Sequence, residues 1–303
     1  MAIEQKWARL LSLLREMQCA VLAYSGGVDS SLLLRAASEV LGPHLIAVTA
    51  VSETYPPAEL NAAKDFIRSL GVTHRILRTT ELTSEEFVRN SPDRCYFCKK
   101  ELFEKLRRIA ELEGISSVLD GSNTDDLADH RPGRRAAREF SVRSPLVEAE
   151  ISKPEVRALA RRMSLPLWDK PSLACLASRI PYGTRITPAI LQTIQTAEDS
   201  LRALGFRQVR VRHHGDTARI ELDRGDFGRV LTGDVAERIN AGLKEQGYTY
   251  VCLDLGGYRT GSMNEGMKQV RNAECTLHSR GALVNAGINE VRSEEPKSEG
   301  AKA

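Results

Sequence analysis

Residues 20–34 read AVLAYSGGVDSSLLL, which is a short apolar run, a serine-glycine-glycine turn and a second apolar run. The first run has the length and composition of a buried strand, and the second run begins a helix. Two adjacent glycines, Gly26 and Gly27, let the backbone approach a ligand without Cβ clashes. The free N–H groups of the helix start, together with the hydroxyls of Ser25 and Ser30, form a seat for an anion. The stretch therefore predicts a phosphate-binding loop between a strand and a helix.

Strands and helices alternate through the first half of the chain. Further strands are predicted at 45–51, at 74–77 and from Val118, and a helix is predicted over 58–70. This alternation predicts an α/β fold with a doubly wound parallel sheet, whose ligands bind beyond the carboxyl ends of the strands. The loop at Ser25 occupies such an end.

Length and composition exclude several classes of protein. With 303 residues, the chain can bury a core without disulfides. Its net charge is +3 with acids and bases intermixed, so we expect no general nucleic-acid or membrane role. The first residues carry charges where a signal peptide needs an apolar core, and no run approaches the roughly 18 apolar residues of a membrane span. We therefore expect a cytoplasmic protein whose six cysteines are thiols, ligands or redox groups.

The glycine turn matches neither of the two best-known phosphate motifs, Gly-x-x-x-x-Gly-Lys-Ser/Thr and Gly-x-Gly-x-x-Gly. Instead, SGGVDS at 25–30 resembles the pyrophosphate loop of the ATP pyrophosphatases, which are adenine nucleotide α-hydrolase-like enzymes. In that superfamily, ATP is cut between its α and β phosphates and the substrate receives AMP. Asp29 would then lie near the phosphates, with a Mg²⁺ ion between the carboxylate and the phosphate oxygens. A plain glycine turn capped by Ser30 is the structural alternative.

Two other predicted strand ends carry polar residues. The segment 49–55, with Thr49 and Ser52, follows the second strand and would border adenine and ribose. A second polar segment follows the strand at Val118, and its candidate ATP-binding residues are Gly121, Thr124, Asp125 and Arg131. The alternative for that segment is a solvated loop with helix-capping aspartates.

Cys95 and Cys98 form a Cys-x-x-Cys pair, which can ligate a metal, form a redox disulfide or be incidental. A tetrahedral zinc site would call for a second such pair, but the remaining cysteines are isolated. The pair therefore needs a third partner. Residues 168–183 form a long irregular segment that carries Cys175, and long loops of this type are usually functional or disordered.

A second unit is predicted after Gly183. It would contain a helix over 187–204, a hairpin over 208–222, a helix over 226–245 and a strand over 248–255. Arg210 and Arg212 share one face of the predicted strand. That face is either exposed to solvent or a basic face that binds phosphate. We expect domains at 1–183 and 184–266, the second a small α+β unit, followed by a flexible tail at 267–303.

Five segments occur together in one order, and as a set they resemble the LarE family of ATP-dependent sulfur transferases. They are the loop at Ser25, RCYFCK at 94–99, GSNTDD at 121–126 with DHRPG at 129–133, ACLASR at 174–179 and LDLGGYRTGSM at 253–263. The resemblance implies that ATP adenylates a carboxylate of pyridinium-3,5-biscarboxylic acid mononucleotide, and that a sulfur nucleophile then gives the thiocarboxylate. The product is a precursor of the nickel-pincer cofactor of lactate racemase. The first domain would adenylate and the second would support sulfur transfer.

The resemblance also implies two routes for the sulfur. Some relatives sacrifice the sulfur of the cysteine that matches Cys175. Others have three cysteines that hold a four-iron four-sulfur cluster with an open iron, and Cys95, Cys98 and Cys175 match that group. Alternatives are Cys175 acting alone, and zinc held by three thiolates and a histidine.

The remaining implied roles concern the substrate and the partners. Arg179 would lower the pKa of the Cys175 thiol or hold a substrate phosphate. Ser178, Glu198, Arg210 and Arg212 would bind the nucleotide phosphate or a metal in the sulfur-transfer site. The expected partners are a small-molecule nucleotide, further copies of the chain and, transiently, other enzymes of nickel-pincer cofactor synthesis.

Three other functions remain open. An amidotransferase-fed synthetase of NAD or GMP would have no use for the three cysteines. A tRNA thiolation enzyme would need a broad basic surface. A nucleotide sensor would bind ATP without releasing pyrophosphate.

Overall fold

Four parallel strands form the first sheet. The computed structural model describes residues 1–52, 54–55, 57–127, 132–170 and 175–259. The strands are β1 (Ala20–Ala23), β2 (Leu45–Val51), β3 (Thr73–Arg78) and β4 (Val118–Leu119). Their order is β3-β2-β1-β4, so the strand that leads into the glycine turn has a neighbour on each side. In register, Val21 lies between Ile46 and Val118.

Helices cover both faces of this sheet. They are α1 (Ile3–Met17), α2 (Val28–Leu41), α3 (Pro57–Ser69), α4 (Glu85–Val88), α5 (Arg94–Leu112), α6 (Gly133–Glu139), α7 (Pro145–Glu148) and α8 (Lys153–Arg162). Successive β1 side chains point to opposite faces: Leu22 packs in a core with α1, α2 and α8, and Val21 packs in another core with α5. A parallel sheet buried on both faces is the doubly wound arrangement that the sequence predicted.

A second, three-stranded sheet follows. Its strands are β5 (Val209–His214), β6 (Thr217–Leu222) and β7 (Tyr250–Leu253), in the order β5-β6-β7. The pair β5 and β6 is antiparallel, which confirms the predicted hairpin, and β7 is parallel to β6. Helices α9 (Pro188–Ala203), α10 (Phe227–Val230) and α11 (Val235–Glu245) accompany it, and Leu201, Phe206, Val211, Ile220 and Leu243 belong to its core.

The prediction of one helix over 226–245 was wrong. The chain forms a short turn of 3₁₀ helix at Arg224–Asp226, then α10, and resumes as α11 only at Val235. Gly233 adopts a φ of +61° between the two helices. A right-handed helix cannot continue through a residue in the left-handed region, so the helix breaks there.

Residues Met1–Tyr258 form one compact unit that contains both sheets. One core cluster joins residues from either side of Gly183, with Phe87, Leu176 and Ile180 packed with Ile186 and Ile194. The domain boundary after Gly183 stays a prediction, and the predicted tail at 267–303 lies outside the described residues.

Candidate active site

The glycine turn connects β1 to α2 and is shaped by its own hydroxyls. Gly26 has a φ of +73°, a conformation that residues with a Cβ rarely adopt. Ser30 Oγ accepts a hydrogen bond from the Ser25 amide (3.3 Å) and donates to the Gly27 carbonyl (3.1 Å). The Gly27 amide donates to Ser25 Oγ (3.4 Å). These hydrogen bonds therefore fix the shape of the turn that precedes the first N–H groups of α2. Free N–H groups at the start of a helix bind anions.

Gly121, at the end of β4, lies directly against this turn. A Cβ atom at Gly121 would lie 2.8 Å from the Ser30 amide nitrogen and 2.9 Å from Ser30 Cα. Since both neighbours are backbone atoms, there is no room for any side chain at this position. The contact explains how this predicted residue shapes the loop.

Asp29 points toward the polar segment after β4. Asn123 Nδ2 donates to Asp29 Oδ1 (3.1 Å), and Lys153 Nζ forms an ion pair with Asp29 Oδ2. Thr124 Oγ1 donates to Asp125 Oδ1 (3.4 Å), and the Asp125 amide donates to Asn123 Oδ1 (3.0 Å). The predicted residues Thr124 and Asp125 thus belong to the same network as Asp29. Arg131, also predicted to bind ATP, lies outside the described residues.

A second lysine contacts the other end of the loop. Lys170 Nζ donates to the Gly26 carbonyl (3.2 Å) and forms an ion pair with Glu59. The Tyr55 hydroxyl donates to the Ser25 carbonyl (3.2 Å), so residues that follow β2 also fasten the loop. Sequence reasoning missed both Lys153 and Lys170. The available signal for Lys170 was its place in the irregular segment 168–183, which was already considered functional.

The edge after β2 is organised by a buried carboxylate. Glu81 is 4% exposed and accepts from Ser52 Oγ (2.5 Å) and Thr54 Oγ1 (2.9 Å), both through Oε1. Its Oε2 is buried and accepts no hydrogen bond from the described residues. Thr49 is fully buried, with its hydroxyl 3.0 Å from His74 Nε2. Burial and the charge of Lys64 lower the pKa of His74, which favours the neutral imidazole beside Thr49.

The segments that carry the three predicted cysteines lie against each other, since Cys98 packs against the core cluster that contains Leu176 and Ala177. Cys95 and Cys98 lie in the first turn of α5, and Cys175 precedes a turn of 3₁₀ helix at Leu176–Arg179. Desolvation by the surrounding protein atoms raises the pKa of the half-buried Cys98 thiol and, less completely, that of Cys95, which is exposed as a residue. In the part of the chain that the structure describes, no three histidine, cysteine or acidic side chains are arranged around a single metal ion.

Asn90 fastens the two cysteine segments to each other. Its side chain is fully buried, and Nδ2 donates to the carbonyls of Ile180 (3.3 Å), Pro181 (2.8 Å) and Thr184 (2.9 Å). Its Oδ1 accepts from Arg94 Nη1, and Arg94 immediately precedes Cys95. The start of α5 is thereby held against the chain that follows Cys175.

The Cys175 segment also reaches the β2 edge and a buried arginine. The Leu176 amide donates to the Thr54 carbonyl (3.4 Å), and Arg179 Nη1 donates to the Cys175 carbonyl (3.3 Å). Burial lowers the pKa of Arg179, but Glu198 and a Cys175 thiolate outweigh burial and raise it.

Two buried ion pairs lie where the Arg179 segment meets the second sheet. One joins Arg179 to Glu198 on α9, and the other joins Arg212 to Glu221 within the sheet. Arg179 is 2% exposed and binds both oxygens of Glu198, at 2.7 and 3.0 Å. Arg212 is 3% exposed and binds both oxygens of Glu221, at 2.9 and 3.0 Å. Arg212 also donates to the Ser178 carbonyl (2.5 Å), and Ser178 Oγ accepts from Arg179 (3.1 Å). These contacts bring Ser178, Arg179, Glu198 and Arg212 into one cluster, and the substrate-binding roles that the family resemblance implies for them stay predictions.

Arg210 completes this cluster. It is 6% exposed, donates to the Tyr258 hydroxyl (2.6 Å) and stacks over the Tyr258 ring at 4.3 Å. Burial lowers the pKa of Arg210, and the charges of Arg179 and Arg212 lower it further. Burial of Arg210 and Arg212 is incompatible with a solvated sheet face. A concentration of guanidinium groups suits a phosphate.

Glu198 has its carboxylate engaged by protein groups. Besides Arg179, it accepts from Arg202 (2.7 Å) and from the Val211 amide (3.1 Å). Three donor residues around one fully buried carboxylate make it an anchor for Arg179. Its predicted contact with substrate or metal stays a prediction.

Within the described residues, no helix combines the length and apolarity needed to cross a membrane. Residues 19–110 match the asparagine synthase family. These residues include the glycine turn, the first three strands and the Cys95 pair.

Three relatives match most of the chain. An uncharacterized protein of Synechocystis sp. is 42% identical over 262 residues, covering 86% of this chain and 98% of the relative. The pyridinium-3,5-bisthiocarboxylic acid mononucleotide synthase of Lactiplantibacillus plantarum is 39% identical over 269 residues, covering 88% and 97%. An uncharacterized protein of Methanocaldococcus jannaschii is 31% identical over 242 residues, covering 79% and 90%. Together with the glycine turn at the end of β1, these similarities show that the chain is an enzyme of the LarE family, within the PP-loop superfamily.

Proposed function

We propose that the enzyme uses ATP to adenylate a carboxylate of pyridinium-3,5-biscarboxylic acid mononucleotide and then converts that group to a thiocarboxylate. The observation that carries the proposal is the position of Cys175. Its carbonyl accepts a hydrogen bond from the buried Arg179, and the amide of the next residue donates to Thr54 at the β2 edge. The relative from Lactiplantibacillus plantarum bears the name of the corresponding bisthiocarboxylate synthase, which supports this substrate class.

The glycine turn would hold the phosphates of ATP. Amides at the start of α2 would bind the oxygens of the leaving pyrophosphate, and Thr49 and Ser52 at the end of β2 would border the nucleoside. Asp29 is a carboxylate on the first turn of α2, which is the ligand type that Mg²⁺ prefers. Adenylation gives the carboxylate a leaving group, and attack of sulfur on the activated carbonyl carbon then forms the C–S bond and expels AMP.

The arginine cluster would hold the phosphate of the mononucleotide. Arg210 and Arg212 supply fixed planar donors, and the Ser178 hydroxyl lies beside them. Glu198 and Glu221 keep two guanidinium groups in place by two-point ion pairs. Because these groups are held before substrate arrives, little conformational entropy is lost on binding.

The three thiols fit a cluster bound by three cysteines. Burial and mutual repulsion disfavour thiolates at Cys95 and Cys98, and iron supplies the positive charge that reverses this. A cluster is larger than one ion, so its ligands stand farther apart than those of a single metal. When bound by three thiolates, a four-iron four-sulfur cluster has an open iron that can carry sulfide. Asn90 would keep the two ligand segments together.

The cysteine assignment can be tested by anaerobic reconstitution of the full chain with iron and sulfide. We expect charge-transfer absorbance and bound iron in the wild type, and loss of both in Cys95→Ala, Cys98→Ala and Cys175→Ala. Cys252→Ala is the matched control, since this exposed thiol lies on β7. A cluster retained in Cys95→Ala and Cys98→Ala contradicts the three-ligand assignment. Loss of one H₂S from Cys175 after turnover would favour the sacrificial route.

The cytoplasmic location, self-association and transient contact with other enzymes of nickel-pincer cofactor synthesis belong to the same proposal. They are supported by the family alone. Size-exclusion chromatography with light scattering tests self-association, and a strictly monomeric enzyme would contradict that part.

A further inference from the structure

We propose that Lys153 and Lys170 form a two-sided clamp for the β and γ phosphates of ATP, exchanging their present carboxylate partners for phosphate when the nucleotide binds. The proposal rests on the proposed nucleotide chemistry of the glycine turn. It assigns a binding role to two side chains that lie in different segments of the sequence.

Lys153 lies at the helix end of the turn. It is the first residue of α8, and its ammonium group pairs with Asp29 on the first turn of α2. The Asp29 carboxylate is also held by Asn123, at 3.1 Å. The Lys153 side chain is 27% exposed, so its charge is accessible from solvent at the loop.

Lys170 lies at the opposite end of the turn. Its ammonium group donates to the Gly26 carbonyl at 3.2 Å and pairs with Glu59 on α3. Both members of that pair are largely buried, with 15% and 20% of their side chains exposed. The Lys170 charge therefore lies beside Gly26, whereas the Lys153 charge lies beside Asp29.

Charge balance explains why the lysines would change partners. The turn offers amides and hydroxyls, which bind an anion but carry no net charge. At present, two lysines neutralise two carboxylates, whereas a triphosphate brings several negative charges to the same place. A lysine ammonium on a flexible stem can move to such a group without rebuilding the backbone. Exchange of Asp29 and Glu59 for phosphate keeps both lysines paired and offsets two of the negative charges of the ligand.

Binding measurements on the full chain test the clamp without any sulfur chemistry. The probes are ATP, which carries β and γ phosphates, and AMP, which lacks them. We expect Lys153→Met and Lys170→Met each to weaken ATP binding by about tenfold or more, as for a lost charge-assisted hydrogen bond, and to leave AMP binding within about twofold. Lys153→Arg and Lys170→Arg should restore part of the ATP affinity because they keep the charge.

The matched control is Lys105→Met. Lys105 on α5 also pairs with a carboxylate, Glu101, and also donates to a carbonyl, that of Arg78. The Lys105→Met variant should bind ATP and AMP with the affinities of the wild type. Unchanged ATP affinity in both lysine variants, equal loss of ATP and AMP, or no ATP binding by the wild type would each overturn the clamp. A wild type that binds ATP through the clamp but forms no thiocarboxylate would overturn the proposed function alone.

Discussion

Arg179 binds both oxygens of Glu198, at 2.7 and 3.0 Å, and both side chains are removed from solvent. The pair connects the segment that carries Cys175 to α9, which packs on the second sheet. Because the carboxylate also holds Arg202, one glutamate organises two guanidinium groups. The position of the Cys175 segment therefore depends on a residue that is distant from it in sequence.

Replacing this carboxylate should destabilise the protein strongly. Glu198→Gln leaves buried guanidinium charge uncompensated, and we expect a loss of about 3–5 kcal/mol in the free energy of unfolding. Urea unfolding followed by circular dichroism measures it. Glu85→Gln is the control: it removes an exposed carboxylate that pairs with Arg185 and should change stability little. Similar midpoints for the two variants would contradict the anchoring role of Glu198.

Gly121→Ala should distort the glycine turn. Its Cβ would overlap the Ser30 backbone, so we expect about 1–3 kcal/mol of destabilisation together with weakened ATP binding. In Gly242→Ala, the new methyl on α11 meets nothing within 4 Å, and the variant should be about 0.4–1 kcal/mol more stable. Unchanged ATP affinity in Gly121→Ala would show that the close approach to Ser30 does not shape the anion seat.

Asn90 should matter more for sulfur transfer than for adenylation. Its φ of +55° is strained for alanine but ordinary for glycine, so Asn90→Gly removes the side chain alone while Asn90→Ala adds backbone strain. We expect about 1–3 kcal/mol of lost stability for each buried group left unpaired, and thiocarboxylate formation reduced more than pyrophosphate release. Equal losses of both activities in Asn90→Gly would indicate a general folding defect instead.

The start of α8, which carries Lys153, should be sensitive to acid. Burial alone would raise the pKa of Glu155, but hydrogen bonds from Lys6 and Ser152 outweigh burial and lower it from 4.5 to about 2. A carboxylate with a lowered pKa in the folded state stabilises the protein above pH 4.5, and that contribution is lost as pH falls toward 2.

Glu155→Gln should therefore reduce stability at neutral pH and flatten the decline between pH 4.5 and 2, as measured by thermal unfolding at a series of pH values. The control is Glu237→Gln, an exposed glutamate in the first turn of α11. An unchanged pH profile in Glu155→Gln would contradict the role of the Glu155 carboxylate in stabilising the start of α8.

The local sequence pattern was sufficient to predict the turn between β1 and α2 as an anion-binding loop. The strand at Ala20, the glycines and the helix at Val28 are adjacent in sequence, so their arrangement follows from local preferences. The break at Gly233 was missed because a single glycine does not by itself end a helix with a good apolar stripe.

The residues that sequence reasoning missed act over long separations. Lys153 reaches Asp29, Lys170 reaches Gly26 and Asn90 reaches Pro181. No local pattern distinguishes these polar residues from their neighbours, and only the tertiary packing brings each to its partner. The cysteine site could be proposed from the sequence because three thiols in a family pattern are specific, whereas lone lysines and asparagines are not.

The most direct test of sulfur transfer counts products. The full chain is incubated anaerobically with ATP, the biscarboxylate mononucleotide and sulfide after iron-sulfur reconstitution, and thiocarboxylate, AMP and pyrophosphate are quantified together. The account predicts equal amounts of AMP, pyrophosphate and thiocarboxylate, in several-fold excess over the chain, with none formed when the mononucleotide is omitted. Pyrophosphate released without any thiocarboxylate, or no release with this substrate, would contradict it.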